Sequence, residues 1–354
     1  MALALVGCAA APEPDLPAAM AAIERDLDRL EDQGLAGQVM VQQADRNLLE
    51  RGLGAMSPGD PRPITLDAVM PLASVSKPFT ASAALALAAD GRIDLNDPLG
   101  RYLDGLSQDW REVPIHALLT HTAGLPAEIF NPAYAGPPRF EPVARDELIR
   151  RVSQFSPDHP PGTRSHYSNV GYNLAAAVVE VATGQALETF LQQRLLAPVG
   201  IEGLGLLETD WRADELVSGR RGTVVAGHHL DQPRLDDGLG WHSRGSGDLL
   251  ARPAAMVTWW QTLRNRIWLP EPWMRDFLTA QVEQADGSGY GFGLEFHRTR
   301  QGLVIGHTGS DLDFSVDWSW FVDHDLLIYV VLADSRWQAD ELVAELARRL
   351  IPHL

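Results

Sequence analysis

The sequence predicts an α/β protein in which both ends of the chain build one antiparallel sheet and the middle forms a helical region. Two strand-like segments follow a helix near the N-terminus, and four consecutive strand-like segments precede a helix at the C-terminus. The short connections between the C-terminal strands imply antiparallel pairing, because parallel strands need long crossovers. We therefore expect a sheet subdomain made of residues 16–75 and 285–354, and a helical subdomain made of residues 76–284.

The N-terminal part of the sheet subdomain begins with an amphipathic helix. Met20, Ile23, Leu27 and Leu30 are spaced as one face of a helix, and Gly34 can end it in the left-handed conformation. The next two segments, 38–43 and 48–54, have strand composition and are separated by a turn at residues 45–47. At the other end of the chain the predicted strands are 290–296, 303–307, 314–321 and 326–332, and the last predicted helix is 338–350.

The middle of the chain has the patterns of buried helices. Residues 79–89 are apolar on nearly every side, which predicts a buried helix that ends at Gly91. A second helix is expected over residues 174–183 with Gly184 as its stop, and a third begins at residue 187. Segments rich in Pro and Gly, or without periodicity, are predicted as loops: residues 131–142, 155–162 and 210–237.

Composition and charge narrow the possible functions. The chain has 354 residues, 45% of them hydrophobic, and a formal charge of −18 from 29 basic and 47 acidic residues. The electric field of a protein with this negative charge repels nucleic acids and anionic lipid headgroups, so we expect neither as a partner. The single cysteine excludes an internal disulfide and a cysteine-based zinc site, and His228 and His229 are interpreted as part of a solvated loop. We expect a monomer without metal or cofactor that acts on a small-molecule or peptide substrate.

The N-terminal residues 1–15 have the character of a processed leader and tether. Residues 2–11 are uncharged and too short to span a bilayer. The sequence from Leu5 to Cys8 is similar to the lipobox of bacterial lipoproteins, in which the cysteine is lipidated. We expect an exported, periplasmic lipoprotein anchored only through Cys8. No basic residues precede the apolar run, so a small-residue tail with a chance cysteine on a cytoplasmic protein stays open as the alternative.

An S-x-x-K motif lies at the start of the predicted buried helix. Residues i and i+3 share a helix face, so the Ser74 hydroxyl and the Lys77 amine can approach within hydrogen-bond distance. A serine hydroxyl becomes a good nucleophile when a neighbouring base takes its proton. Burial lowers the pKa of a lysine and lets it act as that base. By itself the motif is weak, because a capping serine followed by a solvated lysine gives the same pattern.

Two further short motifs carry polar groups that suit the same chemistry. Tyr167 and Asn169 alternate in a segment predicted to be extended, so both can face one cleft, with Tyr167 as acid or base and Asn169 as a ligand for a substrate amide. His307, Thr308 and Gly309 follow at the end of a predicted strand. A glycine there allows close approach of backbone to substrate, and the following amide of Ser310 can donate to an oxyanion. Ordinary turns explain each motif equally well when it is considered alone.

Together the three motifs resemble the serine β-lactamases of class C, the related DD-peptidases (penicillin-binding proteins), and their esterase and D-aminopeptidase relatives. They occur in the order of that family, 93 and then 140 residues apart. The resemblance covers roughly residues 20–350 and includes these further segments: 70–80, 91–98, 118–126, 171–201, 245–263, 290–295 and 306–314. His121 begins a second H-T-x-G sequence that follows a helix, and it is assigned to structure. The G-x-S-x-G elbow of α/β-hydrolases is absent from the sequence.

The resemblance implies a fold, an activity and roles for the motif residues. It implies a two-domain α/β fold of the β-lactamase and DD-peptidase type, with an antiparallel sheet flanked by helices and an all-α domain. Ser74 would form an acyl-enzyme, activated by Lys77 together with Tyr167, with either of the two as the base. The backbone amides of Ser74 and Ser310 would form the oxyanion hole. Asn169, His307, Thr308 and Gly309 would bind the substrate, without any cofactor.

The identity of the residue at position 307 decides between substrate classes within the resemblance. Dedicated class C β-lactamases usually carry lysine there, whose permanent charge helps to bind a substrate carboxylate, whereas a histidine is mostly neutral at pH 7. We therefore favour a serine hydrolase of peptides, amides or esters over a β-lactamase. A non-catalytic penicillin-binding sensor or scaffold is the third possibility. Asp311 and Asp313 add a further expectation, an anionic wall on this side of the cleft, unless both point to solvent.

Overall fold

The computed structural model describes residues 15–126, 129, 141–206, 211–233, 235, 240–284 and 287–354. Cys8 and most of the predicted loop at 131–142 lie outside these residues. Among the described residues the helices are α1 Leu16–Asp32, α2 Lys77–Ala89, α3 Gln108–Arg111, α4 Ile115–Leu119, α5 Arg145–Val152, α6 Asn169–Thr183, α7 Leu187–Leu191, α8 Pro253–Arg264, α9 Trp273–Phe277 and α10 Ala339–Leu350. The strands are β1 Gly37–Gln43, β2 Arg46–Leu53, β3 Ala55–Ser57, β4 Asp60–Pro63, β5 Met70–Pro71, β6 Leu204–Gly205, β7 Gly219–Arg221, β8 Val224–Gly227, β9 Leu250–Ala251, β10 Val282–Glu283, β11 Gly289–Tyr290, β12 Glu295–Thr299, β13 Gly302–Asp311, β14 Phe314–Phe321 and β15 Leu326–Leu332.

An eight-stranded antiparallel sheet joins the two ends of the chain. Its strand order is β10-β11-β12-β13-β14-β15-β1-β2, so the N-terminal hairpin extends the C-terminal meander. Side chains alternate between the two faces of a strand. Val39 and Val41 of β1 accordingly pack in one core with α1 and α10, and Met40 belongs to the core on the opposite face. The predicted antiparallel sheet made by both termini is confirmed, and β10 at its edge begins slightly before the expected boundary at residue 285.

The helical region packs on the face of the sheet that carries Met40. Residues 77–87 of α2 are all buried, as their apolar composition predicts, and α2 packs against α6. Helix α6 ends at Gly184, which has a φ of +68° as a left-handed cap requires. No single helix of the described residues is long and apolar enough to cross a bilayer. Helix α6 and the segment Leu187–Val199, bent by 73°, reach that length and composition only as a pair.

Three segments differ from the expectations. Residues 290–296 form parts of two short paired strands, β11 and β12, because Gly291 and Gly293 allow a tight reversal between them. The reversal passes over the start of α2, where a β-carbon on Gly293 would lie 2.6 Å from the Pro78 nitrogen. His307 to Gly309 lie within β13 and not at a strand end. The predicted loop at 210–237 contains the β7–β8 hairpin.

Candidate active site

Ser74 lies in a tight turn that leads directly into α2. The turn, Ala73–Ser76, is a short 3-10 segment, and Ala73 adopts a φ of +46°. This left-handed conformation costs energy for a residue with a β-carbon, and the surrounding packing must compensate for it. Between residues 68 and 87, Ser74 is the one residue that is not fully buried. The fold therefore presents this hydroxyl at the surface of an otherwise closed segment.

Lys77 is fully buried one turn beyond Ser74. Its Nζ atom lies 3.0 Å from Ser74 Oγ and donates to the carbonyl oxygen of Ser246 at 2.8 Å. Burial holds the pKa of Lys77 well below its usual value, although Glu295 and Asp248 oppose the shift. Lys77 is also the only lysine in the sequence, and all other members of the 29 lysine and arginine residues are arginines. Among the lysine and arginine side chains, the one that can readily lose its proton is thus the one in contact with Ser74.

Tyr167 contacts Ser74 from the opposite side. Its hydroxyl donates to Ser74 Oγ at 2.9 Å, and Lys77 Nζ lies 4.8 Å from the centre of its ring. Although 44% of the residue is exposed, burial of the phenol group raises its pKa above the usual value. The structure therefore brings Ser74, Lys77 and Tyr167 together. Burial favours the protonated phenol of Tyr167 and the neutral amine of Lys77.

His121 supports the segment that carries Tyr167. Its Nδ1 atom accepts a hydrogen bond from the Ser168 amide at 3.1 Å, and its ring centre lies 4.3 Å from that of Tyr167. Because Nδ1 accepts this bond, the neutral imidazole carries its proton on Nε2. The residue itself has a φ of +58°, another left-handed position at the site. His121 thus holds Tyr167 in place, in keeping with its assignment to structure.

Asn169 is the first residue of α6 and does not belong to an extended segment. The backbone is extended at Ser168, with φ −143° and ψ 120°, and turns into the helix at Asn169. The Asn169 side chain is exposed. It lies two residues beyond Tyr167, at the end of the helix that faces the Ser74 region.

Strand β13 passes beside the Ser74 turn. A β-carbon placed on Gly309 would lie 2.8 Å from the Ser74 amide nitrogen and 3.0 Å from the Leu72 carbonyl oxygen, so only glycine fits this approach. Thr308 and Ser310, on either side of Gly309, are exposed. Gly309 thus lets β13 approach the backbone of the Ser74 turn, and the close approach of this glycine to a substrate stays a prediction.

His307 is buried beside two other polar side chains. Its Nδ1 atom donates to the Thr308 carbonyl oxygen, which leaves Nε2 to accept from the Tyr290 hydroxyl at 3.3 Å. Glu295 Oε1 lies 4.0 Å from the same Nε2 atom. Burial lowers the pKa of His307 despite this carboxylate, so the ring is neutral at pH 7. A neutral histidine next to a carboxylate is a poor receptor for a substrate carboxylate.

The expected anionic wall at Asp311 and Asp313 is wrong for Asp311. This residue is only 8% exposed, and its Oδ2 atom lies 3.0 Å from His229 Nε2. His229 itself is 2% exposed, so the interpretation of 228–229 as a solvated loop is also wrong for this residue. The two residues are 82 positions apart in the sequence, and local patterning could not indicate the contact.

Other groups at the site have weak sequence signals or none. Ser246 contributes a backbone carbonyl to Lys77, and any residue type can supply that atom. Asp248 fixes the same loop by accepting from the Gly245 amide at 2.9 Å. Glu295 sits within a segment that the resemblance covers, but no motif distinguishes it. Among the described residues no cluster of three or more His, Cys, Asp or Glu side chains could hold a metal ion.

With the geometry established, comparison with known proteins identifies the family. The β-lactamase family profile matches residues 23–351. The chain belongs to the β-lactamase family. Among solved structures, a penicillin-binding protein from Bacillus halodurans superposes with a TM-score of 0.75 at 21% identity, covering 93% of this chain and 98% of the other. This similarity confirms the predicted fold of a large antiparallel sheet with flanking helices.

Curated relatives include hydrolases that act on different bonds. A D-aminopeptidase of Brucella anthropi is 27% identical over 292 residues, which cover 78% of this chain and 52% of that protein. The esterase EstB of Burkholderia gladioli is 32% identical over 197 residues, which cover 51% of this chain and 50% of that protein. The chain spans about half the length of these two relatives.

Proposed function

We propose that this protein is a serine hydrolase that cleaves peptide, amide or ester bonds of small substrates through an acyl-enzyme on Ser74. The observation that carries the proposal is the pair of contacts on Ser74 Oγ, to Lys77 Nζ at 3.0 Å and to the Tyr167 hydroxyl at 2.9 Å. A nucleophile within hydrogen-bond reach of both a base and an acid can be deprotonated and later reprotonated without rearrangement. Family membership and the hydrolase relatives support the same activity.

The directions of the pKa shifts support Lys77 as the base in the first proton transfer. Burial lowers the pKa of Lys77, which favours its neutral amine, and raises the pKa of Tyr167, which favours its protonated phenol, so Lys77 would accept the proton of Ser74. Ser74 Oγ then forms a bond to the substrate carbonyl carbon, and the carbonyl electron pair moves to oxygen. The backbone amides of Ser74 and Ser310 would stabilise this oxyanion.

Collapse of the tetrahedral intermediate breaks the bond to the leaving group. Tyr167 donates its proton to the departing nitrogen or oxygen, and the proton held by Lys77 returns the phenol to its neutral state. In the second half, water gives a proton to the same Lys77–Tyr167 pair and attacks the acyl carbon. Ser74 Oγ leaves and takes a proton back, which restores the starting state.

The surroundings of His307 support substrates without a carboxylate at that position. His307 is neutral, Glu295 lies 4.0 Å from it, and Tyr290 contacts the same ring nitrogen. These groups favour neutral esters, amides and peptides over penicillins, whose carboxylate would meet a negative charge. Asn169, Thr308 and Gly309 would line the acyl side of the cleft.

Covalent labelling tests the proposal directly. The protein is incubated with a fluorophosphonate, and the intact mass is compared with that of the Ser74→Ala variant. One adduct in the wild type and none in the variant is the expected result. A p-nitrophenyl ester, a D-amino-acid amide and nitrocefin then rank the substrate classes by kcat/KM. Wild-type protein that forms no adduct and hydrolyses none of the three would refute the proposal and favour a non-catalytic role.

We also propose that the protein is exported and held at the membrane through lipid on Cys8. The support is the lipobox-like sequence from Leu5 to Cys8, in which the only cysteine occupies the modified position. Stable attachment would require more than one acyl chain. Labelling of cells with radioactive palmitate should mark the wild type and leave Cys8→Ser unlabelled. An unlabelled wild type in the cytoplasm would contradict this proposal.

A further inference from the structure

The turn that ends β13 is held in an unfavourable backbone conformation close to the site. Strands β13 and β14 are joined by Leu312 and Asp313, with φ values of +46° and +63°. Tight hairpin turns of this kind are usually made by glycine or asparagine, because a β-carbon is disfavoured at positive φ. Contacts from other parts of the chain must therefore hold this turn. The strand that it terminates carries Gly309 and Ser310.

A segment between β6 and β9 packs directly on the turn. A β-carbon on Gly219 would lie 1.7 Å from the Leu312 carbonyl oxygen, so β7 touches the turn with its backbone. The next residue, Arg220, is fixed to the end of the sheet. Its amide donates to Ala333 at 2.9 Å, and its guanidinium lies 3.6 Å from the buried carboxylate of Asp334.

The same segment supplies a buried partner of Asp311. After β8 the chain forms a short turn at His229–Asp231, where the His228 amide donates to the Asp231 carboxylate at 3.0 Å. From this turn, His229 Nε2 reaches Asp311 Oδ2 at 3.0 Å. Both side chains are nearly inaccessible to water. A buried hydrogen bond to a carboxylate is stronger than a neutral one and more directional than an apolar contact.

Asp311 connects this bond to the reaction centre. It is the last residue of β13, and its neighbour Ser310 carries the amide that would donate to the oxyanion. Oxyanion donors act only when they point at the position of the developing charge, and removing one typically costs 10²–10³ in kcat. A shift of the Ser310 amide through a loosened turn would have a smaller effect of the same kind.

We propose that His229 is a positioning residue, which fixes Asp311 and thereby orients the Ser310 amide toward the oxyanion. The inference rests on the proposed function, because it concerns the geometry of the acylation step. His229 does not contact the substrate in this arrangement. It lies in a separate segment that packs on the end of β13, the strand that carries Ser310 and is here called the oxyanion strand.

Two substitutions of His229 by amide side chains of different length test whether the hydrogen bond to Asp311 is required. In His229→Gln the amide nitrogen can occupy the position of Nε2 and reach Asp311, whereas in His229→Asn the side chain is too short. For p-nitrophenyl acetate we expect His229→Asn to lower kcat about 10- to 100-fold with little change in KM. His229→Gln should retain kcat within about fivefold. His324→Asn is the matched control, because it makes the same substitution at a histidine whose Nε2 contacts the Gln301 carbonyl oxygen at 3.1 Å, at the opposite end of the oxyanion strand from Ser310, and it should behave as wild type.

The affinity for a transition-state analogue distinguishes a displaced oxyanion donor from a general loss of structure. Phenylboronic acid adds to the serine and places an oxygen where the oxyanion forms, so its Ki should rise with His229→Asn in parallel with the fall in kcat. Asp311→Ala should reproduce the effect, and the double variant should be no worse than either single one. If His229→Asn fails to fold, Asp311→Ala still tests the proposal, because it breaks the same bond from the other side.

The outcomes are distinguishable from those of the proposed function. Equal kcat for His229→Asn and wild type would overturn the inference. An equal loss in His229→Asn and His229→Gln, or a loss of kcat without weaker boronate binding, would overturn it as well. In each of these cases the wild type still forms an acyl-enzyme on Ser74. Failure of the wild type to form any adduct would instead refute the proposed function.

Discussion

Replacement of Lys77 by methionine should stabilise the protein while it abolishes activity. In the folded protein the Lys77 amine is buried and its pKa is held well below the usual 10.5, whereas in the unfolded chain it titrates normally. Below pH 10.5 the unfolded chain therefore binds one proton more than the folded protein. The free energy of unfolding contributed by Lys77 is lost as the pH falls from 10.5 toward the lowered pKa. Methionine has a similar length and does not titrate.

The size of the effect follows from proton linkage. One extra proton on the unfolded chain changes the free energy of unfolding by about 1.4 kcal/mol per pH unit. The advantage of Lys77→Met over wild type should therefore grow as the pH falls from 9 toward the lowered pKa of Lys77, by up to about 1.4 kcal/mol per pH unit. The variant also loses the hydrogen bond to Ser246 and buries more apolar surface. These two effects change the difference in free energy of unfolding by the same amount at every pH, so they do not affect its dependence on pH.

The measurement is urea unfolding followed by tryptophan fluorescence at pH 7, 8 and 9 for wild type and variant. Thr80→Val is the matched control, because Thr80 is buried in the same helix and donates to Gly245 at 2.7 Å without titrating in this range. Its stability difference from wild type should be independent of pH. A direct check uses [ε-¹³C]lysine, which gives a single resonance because Lys77 is the only lysine. A pH-independent difference for Lys77→Met would show that Lys77 is charged in the folded protein, and the proposed base would be wrong.

Three further substitutions test other parts of the site. Tyr167→Phe removes the acid next to Ser74 and should lower kcat about 10²- to 10⁴-fold while slow labelling by the fluorophosphonate persists; an unchanged kcat would exclude Tyr167 from the mechanism. Gly309→Ala places a β-carbon 2.8 Å from the Ser74 amide and should lower kcat/KM by roughly tenfold or more, with circular dichroism to verify the fold. Glu295→Gln should raise kcat/KM for a carboxylate-bearing substrate about tenfold relative to its methyl ester, since unit charges about 6 Å apart repel by roughly 1.4 kcal/mol at an effective dielectric near 40. If the ratio of kcat/KM for the two substrates is equal in wild type and variant, the charge of Glu295 does not affect substrate selection.

The features that could be predicted from the sequence are those fixed by local patterns. The apolar composition of residues 79–89 predicted a buried helix, and α2 covers this range. Strands β14 and β15 begin and end at the predicted residues, since each lies between clear turn signals. Gly184 ends α6 as expected because only a left-handed residue closes the helix there.

The features that could not be predicted depend on contacts between distant residues. Lys77 and Ser246 are 169 positions apart, and His121 and Ser168 are 47 apart. Residues 290–296 have the composition of a strand, and the chain reverses within them where Gly293 packs against the backbone at the start of α2. Sequence motifs identified the side chains that meet at Ser74, whereas the groups that hold them in place are backbone atoms or residues without a recognisable pattern.

Several conformations that a sequence would not favour lie beside Ser74 and at the end of β13. Ala73 and His121 have positive φ values beside the nucleophile and Tyr167, and Leu312 and Asp313 have them at the end of the oxyanion strand. Lys77 adds a buried amine whose usual charge is disfavoured. Each of these states costs free energy, and such costs persist where function requires the geometry that they enforce. Large apolar cores on both faces of the sheet offset them, so the folded chain can hold a strained turn, a neutral lysine and a close glycine contact at one hydroxyl.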